Sequence, residues 1–306
     1  MRHSAGNRLR ATPRGIMILL AVPLAALAGC AAVGEGPASR TAAVGAATDL
    51  AVRGAESFTI ESAALGETRR VNVLVPTVYG RPIDEPMDIL LMLDGGMDED
   101  FLHVAGLVQV MVSNGTMRPH VLVGVENTAR RRDLTPPTTV AGDRAIAPTV
   151  GGAAAFRAFL RDELLPTVRA RHRTTAEAAI VGESLAGLFL LDAFFAEPTL
   201  FRTYIAIDPS LWWNDGELLR LAAREPRSAE RRRRIEVVAS GEPSMAELGR
   251  RFALEMAARG ARGPEFRMST LDGETHATIY HPAAMLAFRA ALGPVQRTSS
   301  TMAGPQ

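Results

Sequence analysis

The chain has 306 residues, a formal net charge of +1 and 47% hydrophobic residues. That length and apolar content suit one globular domain with a sizeable core plus terminal extensions. Near-neutral charge gives no reason to expect a nucleic-acid partner, and a single cysteine excludes an intrachain disulfide.

Residues 1–30 do not read as part of the fold. Arg2, Arg8, Arg10 and Arg14 make a basic start, and Ile16 to Ala28 is an apolar run too short for a comfortable membrane span. The run ends in Leu27-Ala28-Gly29-Cys30. This resembles the lipobox of bacterial lipoproteins, which implies a lipidated Cys30 and a membrane contact through that anchor. A plain secretory signal is the alternative. Ala31 stands where an inner-membrane lipoprotein would carry Asp, which points to the outer membrane of a bacterial envelope, facing the periplasm. Residues 31–55 are Ala/Gly-rich and read as a flexible tether.

The domain, 56–293, alternates strand and helix signals. Phe58-Thr59-Ile60 and Val71 to Val75 read as an antiparallel edge pair across a turn at Ala64 to Glu67. Asp88 to Leu93 and His120 to Val125 are continuous apolar runs, as strands covered on both faces require. Phe101 to Val112 has helical spacing. Glu126 to Val150 is a polar, Pro-rich loop, and the helix marked by Phe156, Phe159, Leu160 and Leu164 is expected to kink or end at Pro166. Further strands are expected at Ala179 to Glu183, Tyr204 to Ile207, Ile235 to Ala239 and Phe266 to Leu271. Helices are expected after Ser184, at Met245 to Ala258 and at Met285 to Leu292. The run Arg231 to Arg234 leads into a strand and reads as a solvated strand entrance rather than a phosphate site. Residues 294–306 form a polar tail expected to be disordered. This alternation predicts an α/β fold with a mostly parallel sheet and sites at the carboxyl ends of its strands.

Gly182-Glu183-Ser184-Leu185-Ala186 joins an apolar strand to an apolar helix through a Ser flanked by small residues. That is the pattern of a nucleophile elbow, with a helix-capping Ser as the bland alternative. A Ser hydroxyl needs a base within hydrogen-bond reach. Of the six histidines, His276 alone sits in a small polar loop after the final strand. Glu242, after the strand between Ser184 and His276, is the best-placed acid to orient the imidazole. Asp208, Glu247, Glu274 and a Ser–His dyad without an acid stay open. The Leu185 amide, with that of Gly95 or Gly96, would hold the oxyanion.

The chain resembles the putative esterase (esterase D-like) family of α/β-hydrolases, particularly the branch of enterobactin-type siderophore esterases. The resemblance rests on Leu93-Asp94-Gly95, on Val123 to Thr128 with Arg130 and Arg132 to Pro136, on Gly182 to Phe189, and on Pro209 to Asn214; Gly273 to His276 adds to it. These motifs span most of 58–292. Ala186 departs from the family's usual Gly. The resemblance implies ester hydrolysis without metal or organic cofactor, with Ser184 as nucleophile and His276 as base.

Asn127, Arg130 and Arg132 form a strand-end loop that could clamp an anionic acyl group, or simply order itself by pairing with Asp133. Trp212 and Trp213 could wall an acyl pocket, or pack in the core. The reading that follows is a lipid-anchored serine esterase acting on a small-molecule ester, siderophore lactones among the candidates. The alternatives are an acyltransferase of the same fold and a non-catalytic binding protein. The sequence leaves the oligomeric state open.

Overall fold

The computed structural model describes residues 54–147, 149–224 and 226–294. The leader with Cys30, nearly all of the tether and the tail from 295 lie outside the described residues. One eight-stranded sheet organises the domain: β1 (Ala55–Ser62), β2 (Glu67–Leu74), β3 (Met87–Met92), β4 (His120–Val125), β5 (Thr174–Glu183), β6 (Thr203–Ile207), β7 (Arg234–Ser240) and β8 (Glu265–Leu271). Its spatial order is β1-β2-β4-β3-β5-β6-β7-β8. β1 and β2 pair antiparallel, as do β2 and β4; every later pairing is parallel.

The helices follow from the parallel pairings, which need crossover connections. In chain order they are α1 (Phe101–Ser113), α2 (Arg130–Asp133), α3 (Ala141–Ile146), α4 (Ala153–Phe159), α5 (Leu165–Arg171), α6 (Leu185–Ala196), α7 (Trp213–Ala222), α8 (Pro243–Ala258) and α9 (Tyr280–Leu292). They cover both faces of the sheet. Alternate residues of one strand feed opposite cores: Ile89 and Leu91 of β3 join one with Phe156, Phe159, Phe189 and Phe252. Leu90 and Met92 join the other, with Val104 and Val108 of α1 and Phe288 of α9. The period of two along each strand is what divides them.

Three local expectations change. Pro166 neither ends nor sharply breaks its helix: Leu160–Leu164 widens to a π turn and α5 continues through Pro166. Proline has no N–H for the preceding turn and its ring crowds that turn's carbonyl; the wider turn relieves both. The segment after Glu126 is not all loop, because it contains α2 and α3. A helix not expected from the sequence, α7, opens at Trp213, and its start carries left-handed backbone at Asn214, Asp215 and Gly216 (φ of 48°, 54° and 73°).

Candidate active site

Three neighbouring strands, β3, β5 and β6, end in a non-glycine residue with positive φ: Asp94 at 55°, Ser184 at 60° and Asp208 at 42°. Such backbone is strained for L residues and persists only where the surroundings over-determine it. At Ser184 they do. Its amide donates to the Ile207 carbonyl at 3.0 Å, and its own carbonyl accepts from the Ser210 amide at 3.1 Å. A Cβ on Gly182 would lie 2.6 Å from the Ala186 Cβ, so position 182 has room only for glycine. Ala186 is fully buried against that gap; the elbow accommodates this departure from Gly because Gly182 faces it. Helix α6 starts directly after Ser184, which aims its first, unpaired N–H groups, Leu185 included, at the region of the hydroxyl.

The three polar groups form a hydrogen-bonded line. The Ser184 Oγ lies 3.0 Å from His276 Nε2, and His276 Nδ1 lies 2.7 Å from Asp208 Oδ2. Asp208 is fully buried. Its carboxylate accepts from the Ser240 amide at 2.8 Å and from the Ser240 hydroxyl at 3.0 Å. Those donors fix its orientation and compensate its burial. The hydrogen bond that His276 donates to Asp208 raises the His276 pKa above its ordinary value, against the opposing effect of burial. In this arrangement the imidazole can take the Ser184 proton at Nε2 while a carboxylate stabilises the imidazolium at Nδ1.

Glu242 is therefore not the carboxylate at the imidazole ring. Its Oε1 accepts the backbone N–H of His276 at 3.0 Å, so it orders the loop that carries His276. The carboxylate at the ring is that of Asp208, one strand over from Ser184, held by Ser240 on the next strand. Ser240 had no sequence signal beyond its place at a strand end. Glu247 forms an ion pair with Arg250 on α8.

Gly95 and Gly96, the two glycines expected to offer a second oxyanion donor, differ in what their amides bind. The Gly95 amide donates to the Val125 carbonyl at 2.9 Å, and a Cβ there would meet Gly124 Cα at 2.4 Å. Gly95 is thus required by close packing on β4, and its N–H is committed. The Gly96 amide donates to Glu99 Oε2 at 2.7 Å. It faces an anion already, a side chain that rotation can remove.

The arginine loop is knitted to acids. Arg130 binds Asp94 through two hydrogen bonds, at 2.6 and 2.8 Å, and Asn127 donates to Asp94 at 2.6 Å and to Glu99 at 2.8 Å. Arg132 pairs with Glu67 at 2.6 Å and with Asp133 at 2.7 Å. The buried Arg69 of β2 joins Glu67 to Asp133. Arg132 is therefore a structural tie rather than a free clamp, and only the Asn127–Arg130 end stays with the strand-end carboxylates. Trp213 is buried and donates Nε1–H to the Pro136 carbonyl at 3.1 Å. Trp212 lines a cavity of about 360 Å3 with Leu219, Arg220 and Arg251.

Glu183, immediately before Ser184, has its pKa pushed up to about 7 by burial, with Asp100, Asp208 and Asp94 adding to the shift and His276 opposing it. Among the described residues no cluster of three or more His, Cys, Asp or Glu side chains is arranged to hold a metal ion.

Comparison with known proteins gives a consistent result. The family model described as Putative esterase matches residues 62–254. The siderophore triacetylfusarinine C esterase of Aspergillus fumigatus is 45% identical over 91 residues, 28% of this chain and 29% of that protein. The ferri-bacillibactin esterase BesA of Bacillus subtilis is 34% identical over 115 residues, 33% of this chain and 40% of that protein. The matches thus span less than half of these relatives. Among solved structures, an IroE-like serine hydrolase from Shewanella oneidensis superposes with a TM-score of 0.68 at 26% identity, covering 78% of this chain and 80% of that one. The sheet order and the flanking helices are those of an α/β-hydrolase fold.

Proposed function

The chain belongs to the Putative esterase family, and on that premise we propose that it is a serine hydrolase cleaving carboxylic esters through an acyl-enzyme. The observation that carries this is the continuous line Ser184–His276–Asp208, with hydrogen bonds of 3.0 and 2.7 Å. Ser184 Oγ attacks the ester carbonyl carbon while His276 Nε2 takes its proton. Asp208 holds the Nδ1–H and offsets the imidazolium charge. The carbonyl oxygen becomes an oxyanion facing the Leu185 N–H, and the Gly96 N–H joins it when Glu99 turns away. Collapse breaks the bond to the leaving alkoxide, which takes the proton from His276. Water, deprotonated by His276, then attacks the acyl-Ser184, and the acid product leaves.

The named relatives act on siderophore esters, and this supports ester-linked iron chelators as the substrate class here. The leader ending at Cys30 supports anchoring to the outer membrane by a lipid, which palmitate labelling of wild type against Cys30→Ala tests.

The test of the reaction is turnover of a trilactone siderophore and of p-nitrophenyl acyl esters, together with labelling by a fluorophosphonate. Wild type is expected to turn over ester and be labelled at Ser184. Unchanged turnover in Ser184→Ala would overturn the mechanism. Transfer of the acyl group to an added alcohol, with no free acid formed, would replace hydrolysis by acyl transfer.

A further inference from the structure

The opposite edge of the sheet carries a second polar feature that ester hydrolysis does not use. Where the parallel strands begin, a cavity of about 440 Å3 is lined by Arg118, Arg202, Arg232, Arg233, Arg234 and Arg289, with Glu265 as its one carboxylate. A neighbouring cavity of about 370 Å3 shares Arg118 and Arg202 and adds the buried His120 together with the carboxylates Asp88 and Glu177. The residues come from four places: the starts of β4, β6 and β7 and the last turn of α9. Five residues of β6 separate Arg202 from Asp208, roughly 20 Å at the rise of a strand. The cleft is therefore remote from Ser184.

Apart from Arg118, which pairs with Asp88 at 3.2 Å, the guanidinium groups are poorly matched within the protein. Among the described residues, Arg202, Arg232, Arg233 and Arg289 have no ion-pair partner. Arg234 reaches Glu265 and Glu236 only at 3.4 and 3.6 Å. Arg118 Nε, Arg233 Nε, and Arg234 Nε and Nη2 are buried without any hydrogen-bond acceptor. A buried donor left unmade costs about 1–3 kcal/mol, more when it is charged. Six clustered cations add mutual repulsion. Both costs vanish if an anion with several acceptor oxygens occupies the cleft, and planar guanidinium forks match phosphate oxygens two at a time.

We propose that this arginine cleft binds a phosphate-bearing anion, either a soluble phosphate compound or the headgroup of an anionic phospholipid. The run Arg231 to Arg234 alone did not indicate this, since a basic strand entrance is ordinarily solvated. Arg118, Arg202 and Arg289, distant in sequence, turn it into an open cleft lined by six arginines.

The test uses the full chain in phosphate-free, low-salt buffer, with two probes. Sodium pyrophosphate is titrated by calorimetry, and flotation is measured on phosphatidylcholine vesicles with and without phosphatidylglycerol. Each is repeated on Arg202→Ala/Arg233→Ala and, should that variant not fold, on the exposed Arg289→Ala. The expected result is saturable binding in at least one arm, weakened about tenfold or more in the variant, the loss of one good charge-assisted contact, with ester turnover unchanged. Binding of pyrophosphate alone assigns a soluble ligand, and phosphatidylglycerol-dependent flotation alone assigns a headgroup. No binding in either arm, or equal binding by wild type and variant, overturns the proposal.

Discussion

Asp208 Oδ2 lies 2.7 Å from His276 Nδ1, whereas Glu242 reaches the same residue only through its backbone N–H. The two carboxylates divide the work of holding His276: one orients the ring and compensates its charge, the other fixes the loop. Asp208→Asn keeps the shape but removes the charge, so kcat is expected to fall by roughly 10^4-fold, the scale seen when a triad aspartate is neutralised. Glu242→Gln retains an oxygen acceptor for the backbone amide and is expected to lose less than about tenfold. Steady-state kinetics on one ester substrate compares them, and a larger loss in Glu242→Gln would reverse the assignment.

The pH profile follows from the same pair. His276 must be neutral to accept the Ser184 proton, and its pKa is raised, first by the Asp208 hydrogen bond and further by the charges of Asp208, Glu183 and Glu242. Activity should therefore rise with pH through an apparent pKa above that of an ordinary histidine. Removing the carboxylate in Asp208→Ala lowers that pKa, so the residual activity should rise at lower pH. Glu183→Gln should move the limb the same way by a smaller amount. A limb that stays put in both variants would show that another group controls it.

Glu183 also makes stability depend on pH. Its carboxyl holds a proton up to about pH 7 in the folded state, against an ordinary value of 4.5. Between those values the folded state binds more protons than the unfolded one, so this group lowers stability as pH rises, with the full cost present above about pH 7. Glu183→Gln is expected to raise the thermal midpoint above pH 7 and to have little effect below pH 4.5. Thermal melts of both proteins across pH 4 to 9 check this.

The Arg69–Asp133 ion pair is buried at both ends, with 1% and 2% of the side chains exposed. Asp133→Ala leaves the buried Arg69 with Glu67 as its remaining acid, and about 1–3 kcal/mol of stability should be lost with the charged hydrogen bond. Arg132 is more exposed and tied to Glu67 and Asp133, so Arg132→Ala should leave KM for an ester nearly unchanged. Denaturant melts and KM values together separate a tie from a clamp; a KM rise of about tenfold or more in Arg132→Ala would restore the clamp.

At the elbow, a methyl group added at Gly182 meets Ala186 Cβ at 2.6 Å and its carbonyl carbon at 2.9 Å. Gly182→Ala should therefore abolish ester turnover and lower the thermal midpoint, while Ala186→Gly should preserve turnover. Turnover assays with parallel melts check both.

Local sequence was enough for whatever local sequence encodes. Continuous apolar runs at Asp88 to Leu93 and His120 to Val125 marked strands covered on both faces. The small residues around Ser184 marked a turn that only a strand entering a helix makes. The final strand followed by Gly273-Glu274-Thr275-His276 left one histidine in a loop free enough to serve as base. The identity of the acid was not local. Asp208 ends β6, which pairs directly with the strand carrying Ser184, and Glu242 follows β7, one strand farther. Strands lie about 4.8 Å apart, so distance across the sheet decides which carboxylate reaches the imidazole ring. The same lateral packing set the Arg132 guanidinium against Glu67 and Asp133, committed the Gly95 amide to Val125, and gathered arginines from three strand starts and one helix end. Periodicity and turn chemistry are properties of neighbours along the chain. Charge pairing and amide commitment belong to neighbours across the sheet, and only the tertiary structure decides them.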